Sequence, residues 1–114
     1  AAGSLALQSW GAVLYWILPM MMAQPFMRMI LLAEHTGCSE ERDGLTNTRT
    51  TMASMPVRFL MWNMPFHAEH HLYPSTPFHA LPRAHTMLRE RLACISESYP
   101  AAHKDIQADI RRTA

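Results

Sequence analysis

An apolar run without charge is the feature that most constrains the fold of this chain. Residues 5–27, LALQSWGAVLYWILPMMMAQPFM, hold no Lys, Arg, Asp or Glu, and every charged residue lies from Arg28 onward. A helix of about 20 mostly apolar residues is long enough to cross a bilayer. Since MRMILLAEH continues the helical pattern, we expect membrane-embedded helix over about residues 5–34. It should end near His35, with Gly37 as the stop signal.

Two prolines and three aromatic residues bear on the prediction of a membrane helix. Pro19 and Pro25 would kink or break a soluble helix, whereas membrane helices tolerate proline better. Trp10, Tyr15 and Trp16 are residue types that favour the membrane interface. The alternative is a buried helix in a larger soluble protein.

Length, charge and cysteine spacing limit the class of protein further. A chain of 114 residues is at most one ordinary domain, and a formal net charge of +1 gives no basis for nucleic-acid binding. Cys38 and Cys94 form no CxxC pattern, so we expect free thiols in a reducing compartment. Basic residues flank only the C-terminal end of the apolar run, which predicts that this end is cytoplasmic.

The rest of the chain predicts further helices and no strands. Residues 36–54 are polar and read as a solvent-facing loop. Residues 55–74 should be helical, with Pro65 as a kink or a new helix start. Residues 75–95 have the spacing of an amphipathic helix, and residues 98–114 predict a short helix with a frayed tail. The fold class expected is therefore all-α.

Three histidines crowd into the stretch FHAEHHLYP. In a helix, His67 shares a face with His70 and with His71, which lie about 100° apart around the axis. Such a set suits one metal ion or two neighbouring ions, and imidazole binds Zn, Fe, Cu and Ni alike. Glu69 points elsewhere, so it either orients a histidine or faces water. The alternative is a solvated, histidine-rich helix end.

Other histidines differ in their relation to this cluster. His35 lies at the predicted membrane boundary after Glu34, and it becomes a candidate fourth ligand beside the cluster. We interpret His79 and His85 as loop and amphipathic-helix residues that at most support the site. His103 belongs to the tail and has no expected role.

The segment NMPFHAEHHLYPSTPFHALPRAH resembles the third histidine box, HxxHH, of the membrane fatty acid desaturase family. The upstream segment AEHTGCSEERDGLTNTRTT resembles the stretch that precedes this box in bacterial members. The likeness runs from about His35 to His85, close to half of the chain.

The resemblance implies a fold and a ligand set. Family members have four transmembrane helices under a cytosolic cap in which histidines hold two irons. The 114 residues would be the C-terminal portion, with membrane helix at about 5–34 and the histidine-bearing cap and amphipathic tail at 35–114. By resemblance, the iron ligands here are His35, His67, His70 and His71, with no catalytic residue beyond them. Some members carry an asparagine where this chain has Leu31.

The resemblance also implies an activity. Desaturases introduce a C=C bond into an acyl lipid or fatty acid, using O₂ and two electrons from a donor such as ferredoxin or cytochrome b5. The family's first two histidine boxes are not in this sequence, so we expect the 114 residues alone to be inactive. The alternatives are a hydroxylase or carotenoid ketolase of the same histidine-box class, a non-enzymatic zinc-binding membrane module, and a membrane anchor with incidental histidines.

Overall fold

The computed structural model describes residue 2 and residues 10–114. These fall into two compact units, Ala1–Leu31 and Leu32–Ala114. Residues 5–9, where the predicted membrane helix begins, lie outside the described part. The described residues are mostly helical, with two strands of two residues each. The expected all-α class is therefore confirmed at this level.

Helix dominates the first unit. A π-helical turn, Val13–Ile17, leads into helix α1, Leu18–His35, which runs through Pro25. Among the described residues, Val13–His35 is the one helix long and apolar enough to cross a membrane, and only 6% of its apolar 18-residue stretch is buried. The apolar side chains therefore face outward, as expected for a helix whose solvent is lipid.

Helix α1 ends at His35, as predicted. Gly37 adopts a positive φ of 76°, a conformation that costs glycine little and other residues more. The helix then receives two bonds from Arg49. Its guanidinium Nη1 donates to the Ala33 carbonyl, and its backbone N–H donates to the Glu34 carbonyl, both at 2.9 Å. Arg49 thus satisfies carbonyls that a helix end leaves open, and it fixes the position of this helix end in the second unit.

A short parallel pairing follows the polar loop. Strand β1, Thr50–Thr51, pairs with strand β2, Ile95–Ser96, with Thr50 opposite Ile95. The sequence pattern predicts no strand here. Two residues are too short to show an alternating pattern, and the pairing joins segments that are far apart in the chain.

The histidine segment is divided into two short helices. Helix α2, Met55–Leu60, ends at a turn in which Trp62 and Asn63 have φ values of 54° and 56°. Helix α3, His67–Leu72, starts two residues after Pro65. Of the two alternatives predicted at Pro65, a kink or a new helix start, the structure shows the new start.

Two further helices complete the second unit. Helix α4, Leu81–Leu88, lies between 3₁₀ turns at Phe78–Ala80 and Arg89–Arg91. Helix α5, Tyr99–Thr113, has 15 residues, so the predicted short helix with a frayed tail is wrong. Ser98 accepts a hydrogen bond from the Ala101 N–H at 3.2 Å, which caps this helix.

Polar side chains make up much of the interior. Buried apolar residues are Ala33, Phe66, Ala68, Leu81, Leu92, Ala102 and Ile106. Buried polar residues are Glu34, Thr48, Arg49, Thr50, Thr51, Glu69, His85 and Ser96. Because buried polar groups are costly unless they are paired, this interior depends on specific hydrogen bonds.

The two cysteines form a disulfide, which contradicts the expected free thiols. Cys38 follows the end of α1 and Cys94 precedes β2, and their Cα atoms lie 6.2 Å apart. The spacing of 56 residues carries no local signal of pairing, so only the fold brings the two together. The two cysteines therefore give no support for a cytosolic location.

Replacing Ile106 by alanine should lower the free energy of unfolding by about 2–4 kcal/mol, because the side chain is 2% exposed and its loss leaves a cavity. Ile110→Ala is the matched control one turn later, where the side chain is 56% exposed. It should change stability by less than about 0.5 kcal/mol. Denaturant unfolding of the chain in detergent micelles measures both, and equal effects would contradict the docking of α5.

Removing the disulfide should cost about 2–4 kcal/mol, because the bond closes a long loop and restricts the unfolded chain. Reductant should shift the unfolding midpoint of the native protein, whereas the Cys38→Ala/Cys94→Ala variant should show no response to reductant. Two thiols that react with Ellman's reagent in the unreduced, unfolded protein would contradict the pairing.

Candidate metal centre

The candidate site begins at the C-terminal end of α1. His35 is the last residue of this helix and is exposed. Its position follows from the stop at Gly37 and from the bonds that Arg49 makes with the last turn. The local sequence thus ends the helix at His35, while the distant Arg49 sets where that end lies.

Helix α3 brings two further histidines to His35. His67 and His71 are one turn apart and share a face of the helix, as predicted. The Nε2 atom of His67 lies 3.0 Å from Nε2 of His35 and 3.1 Å from Nε2 of His71. The ligand nitrogens of all three residues lie within 4.8 Å of one another. We call these three residues the histidine cluster.

His70 lies beside the histidine cluster rather than in it. Its ring centroid is 6.2 Å from that of His67 and 6.0 Å from that of His71. Its Nδ1 atom is buried and has no hydrogen-bond partner among the described residues. The structure therefore brings three of the four predicted ligands together, and a ligand role for His70 stays a prediction.

Burial keeps the central histidine neutral. Burial, and then the neighbouring histidines at 71, 35 and 70, lower the pKa of His67 to about 3. The pKa of His71 is lowered as well, mainly by burial. A neutral imidazole is the form that binds a metal ion, so His67 is ready to act as a ligand at pH 7. A fully solvated helix end does not describe this residue.

The donor geometry fits a metal ion. Nitrogens bound to one divalent ion at about 2.1 Å and at right angles lie about 3.0 Å apart, which matches the contacts of His67. Ordinary hydrogen bonds between neutral imidazoles explain these contacts less well, because both involve His67 Nε2, and one nitrogen of a neutral imidazole either donates or accepts but does not do both. The other ring nitrogen, His67 Nδ1, is buried without a partner among the described residues.

The Glu34 carboxyl group is buried beside the histidine cluster, and this burial raises its pKa to about 7. Glu34 Oε2 lies 3.6 Å from His67 Nε2, and the Glu34 side chain is 4% exposed. The Tyr99 hydroxyl of α5 donates to Glu34 Oε1 at 3.3 Å. Burial, and then the nearby Glu34 carboxylate, raise the pKa of Tyr99 above its ordinary value, so the hydroxyl keeps its proton. The sequence pattern predicts no role in the site for Glu34 or Tyr99.

Glu69 forms the anchor of α3. Its side chain is fully buried, and its two oxygens accept bonds of 2.5 Å from Thr50 Oγ1 and from His85 Nδ1. The alternative that Glu69 faces water is wrong. His85 supports the site through its bond to Glu69, and its ring also contacts that of Phe66, at 5.2 Å between centroids. Because both partners are distant in sequence, no local pattern could have revealed this network.

The remaining candidate residues lie outside the histidine cluster. His79 is exposed, and its ring contacts that of Phe78. His103 is half-buried on α5. The Asn63 amide donates to the Phe78 carbonyl at 3.1 Å, so this residue holds the turn between α2 and α3.

Glu69→Ala should lower the free energy of unfolding by about 2–3 kcal/mol, because it leaves the buried His85 nitrogen and Thr50 hydroxyl without an acceptor. The matched control is Glu97→Ala, at an exposed position, which should change stability by less than about 0.5 kcal/mol. Thermal and denaturant unfolding measure the difference. A Glu69→Ala variant as stable as the control would show that the network contributes nothing.

Comparison with known proteins gives a family but no individual relative. Neither the curated proteins nor the solved structures provide a match to the chain. The family model for fatty acid desaturases matches residues 1–102, which include the apolar helix and every histidine of the cluster. This match covers most of the chain and confirms the resemblance seen in the HxxHH motif. The chain therefore belongs to the fatty acid desaturase family.

Proposed function

We propose that this chain forms the C-terminal part of an integral membrane di-iron oxygenase, most specifically an acyl-lipid or fatty acid desaturase. The convergence of three imidazole nitrogens, from His35, His67 and His71, is the observation that carries the proposal. Membership of the desaturase family supports the general class of oxidoreductase. The choice of substrate class and outcome is our inference.

The histidine cluster would hold one iron ion, and His70 would serve a second. Iron and O₂ together supply the strong oxidant that removal of hydrogen from an unactivated acyl chain requires. Two ions need about twice the four histidines available here. We therefore propose that the rest of the ligand set comes from the protein's other histidine boxes.

The chain's own residues prepare the ligands. Burial keeps His67 unprotonated, so it can bind a metal ion without first losing a proton. Arg49 holds the end of α1, and Glu69 holds α3 through Thr50 and His85. Rigid support of this kind keeps ligands in place before the metal ion binds.

The membrane placement is supported by the apolar helix and by the family. Val13–His35 is long and apolar enough to cross a bilayer, and desaturases are membrane-associated. We propose that the histidine cluster lies on the cytoplasmic side, since basic residues appear only from Arg28 onward. The disulfide does not favour this side, because cytosolic thiols are mostly kept reduced.

The proposed partners follow from the reaction. They are membrane lipid, O₂, a fatty acyl substrate and an electron donor such as ferredoxin or cytochrome b5. Exposed apolar side chains support contact with lipid in both units, for example Tyr15 in the first and Phe59 in the second. A hydroxylase or ketolase would use the same ligands, so the product decides between them.

Replacing His67 or His71 by alanine should lower bound iron at least about tenfold, because each removes a nitrogen from the cluster. His103→Ala is the matched control and should keep the iron content of the unmodified protein. Plasma mass spectrometry of the protein purified in detergent and loaded with Fe²⁺ without oxygen measures this content. Zinc at one ion per chain with no iron would instead favour the zinc-binding module.

Desaturase activity should depend on the same histidines as iron binding. Membranes from cells that express the complete gene should contain fatty acids with a new double bond, detected by gas chromatography and mass spectrometry. The His67→Ala variant should abolish this product and His103→Ala should not. A hydroxylated product would assign the protein to the hydroxylase branch, and no product from an iron-loaded protein would contradict the oxygenase proposal.

A further inference from the structure

We propose that Glu34 supplies a carboxylate oxygen to the metal ion held by the histidine cluster, with Tyr99 as the residue that positions it. This inference rests on the proposed metal site and extends it. The histidine motif assigns no role to a carboxylate. Glu34 would therefore be a fourth ligand, with an oxygen donor beside the three imidazole nitrogens.

The geometry directs one carboxylate oxygen at the cluster. Glu34 Oε1 accepts the hydrogen bond of the Tyr99 hydroxyl at 3.3 Å. The other oxygen, Oε2, lies 3.6 Å from His67 Nε2, the atom that also contacts His35. An ion bound by His67 Nε2 would therefore have Glu34 Oε2 as a near neighbour. Carboxylate oxygens commonly complete sites built from histidines.

Glu34 is a buried carboxyl group with no permanent cation beside it among the described residues. Its side chain is 4% exposed, and a buried carboxylate is costly without a positive partner. Among the described residues, its side-chain contacts are His67 and Tyr99, neither of which is a permanent cation. The nearby Arg49 Nη1 instead donates to the Ala33 carbonyl.

The helix end increases this cost. Glu34 lies in the last turn of α1, where the helix dipole disfavours negative charge. A divalent ion at the histidine cluster would offset both the burial and the dipole. The competing explanation is that Glu34 and Tyr99 form only a structural link between α1 and α5.

Two substitutions separate these explanations. Glu34→Gln removes the charge but keeps an amide oxygen that can accept the Tyr99 hydrogen bond. Tyr99→Phe removes the hydrogen bond but keeps the carboxylate. A metal ligand makes the first change the more damaging to metal binding, whereas a structural link makes the two changes alike. Glu97→Gln, at an exposed position, is the matched control.

The test is a titration of the protein expressed from the complete gene, in detergent micelles, with Co²⁺, whose visible absorption reports the ligands. Glu34→Gln should weaken Co²⁺ binding at least about tenfold and shift the absorption bands. Tyr99→Phe should weaken binding by a few-fold and keep the bands, and Glu97→Gln should match the unmodified protein. Circular dichroism checks that each variant is folded.

The outcomes distinguish this inference from the metal site itself. If the unmodified protein binds Co²⁺ and Glu34→Gln binds it equally with the same spectrum, Glu34 is not a ligand and the histidine site stands. If the unmodified protein does not bind Co²⁺, both proposals fail. If Glu34→Gln does not fold, infrared difference spectra of the unmodified protein decide. A carboxylate band that shifts on Co²⁺ addition supports the inference, and an unchanged carboxylate region overturns it.

Discussion

The contact between Arg49 and the end of α1 is the interaction on which the candidate site depends. His35 and His67 are 32 residues apart, yet their Nε2 atoms lie within 3.0 Å. This approach requires that the last turn of α1 be held in the second unit. Arg49 does so with two bonds to consecutive carbonyls, at Ala33 and Glu34, and leads directly into β1. The local sequence ends the helix before Gly37, and Arg49 fixes where that end, with its ligand His35, lies.

Buried polar groups orient the helix that carries the histidine box. Helix α3 has six residues, too few to be stable by itself. Glu69 ties it to Thr50 and His85 through bonds made inside the protein, where an unpaired partner would be costly. The side of α3 that does not bear the cluster is thereby fixed, which leaves His67 and His71 facing His35. A polar interior is thus the physical basis of a preorganised ligand set.

The sequence predicted the parts of this site that depend on local spacing. The end of α1 near His35, the new helix after Pro65 and the shared face of His67 and His71 were all confirmed. The length of α5 was missed, although the signal was present: Ser98 is a favourable cap and a proline follows in the first turn. Pairings over long separations were missed because no local pattern encodes them.

The sequence by itself determined the family, the helical class and the identity of the candidate ligands, since apolar run length, helical period and the HxxHH spacing are local properties. Tertiary structure decided which of these ligands meet. It joined His35 to α3, left His70 beside the cluster, and placed the Glu34 carboxylate against His67. It also closed the disulfide between Cys38 and Cys94. These outcomes depend on contacts between distant segments, whose geometry is fixed only when the buried polar groups find their partners.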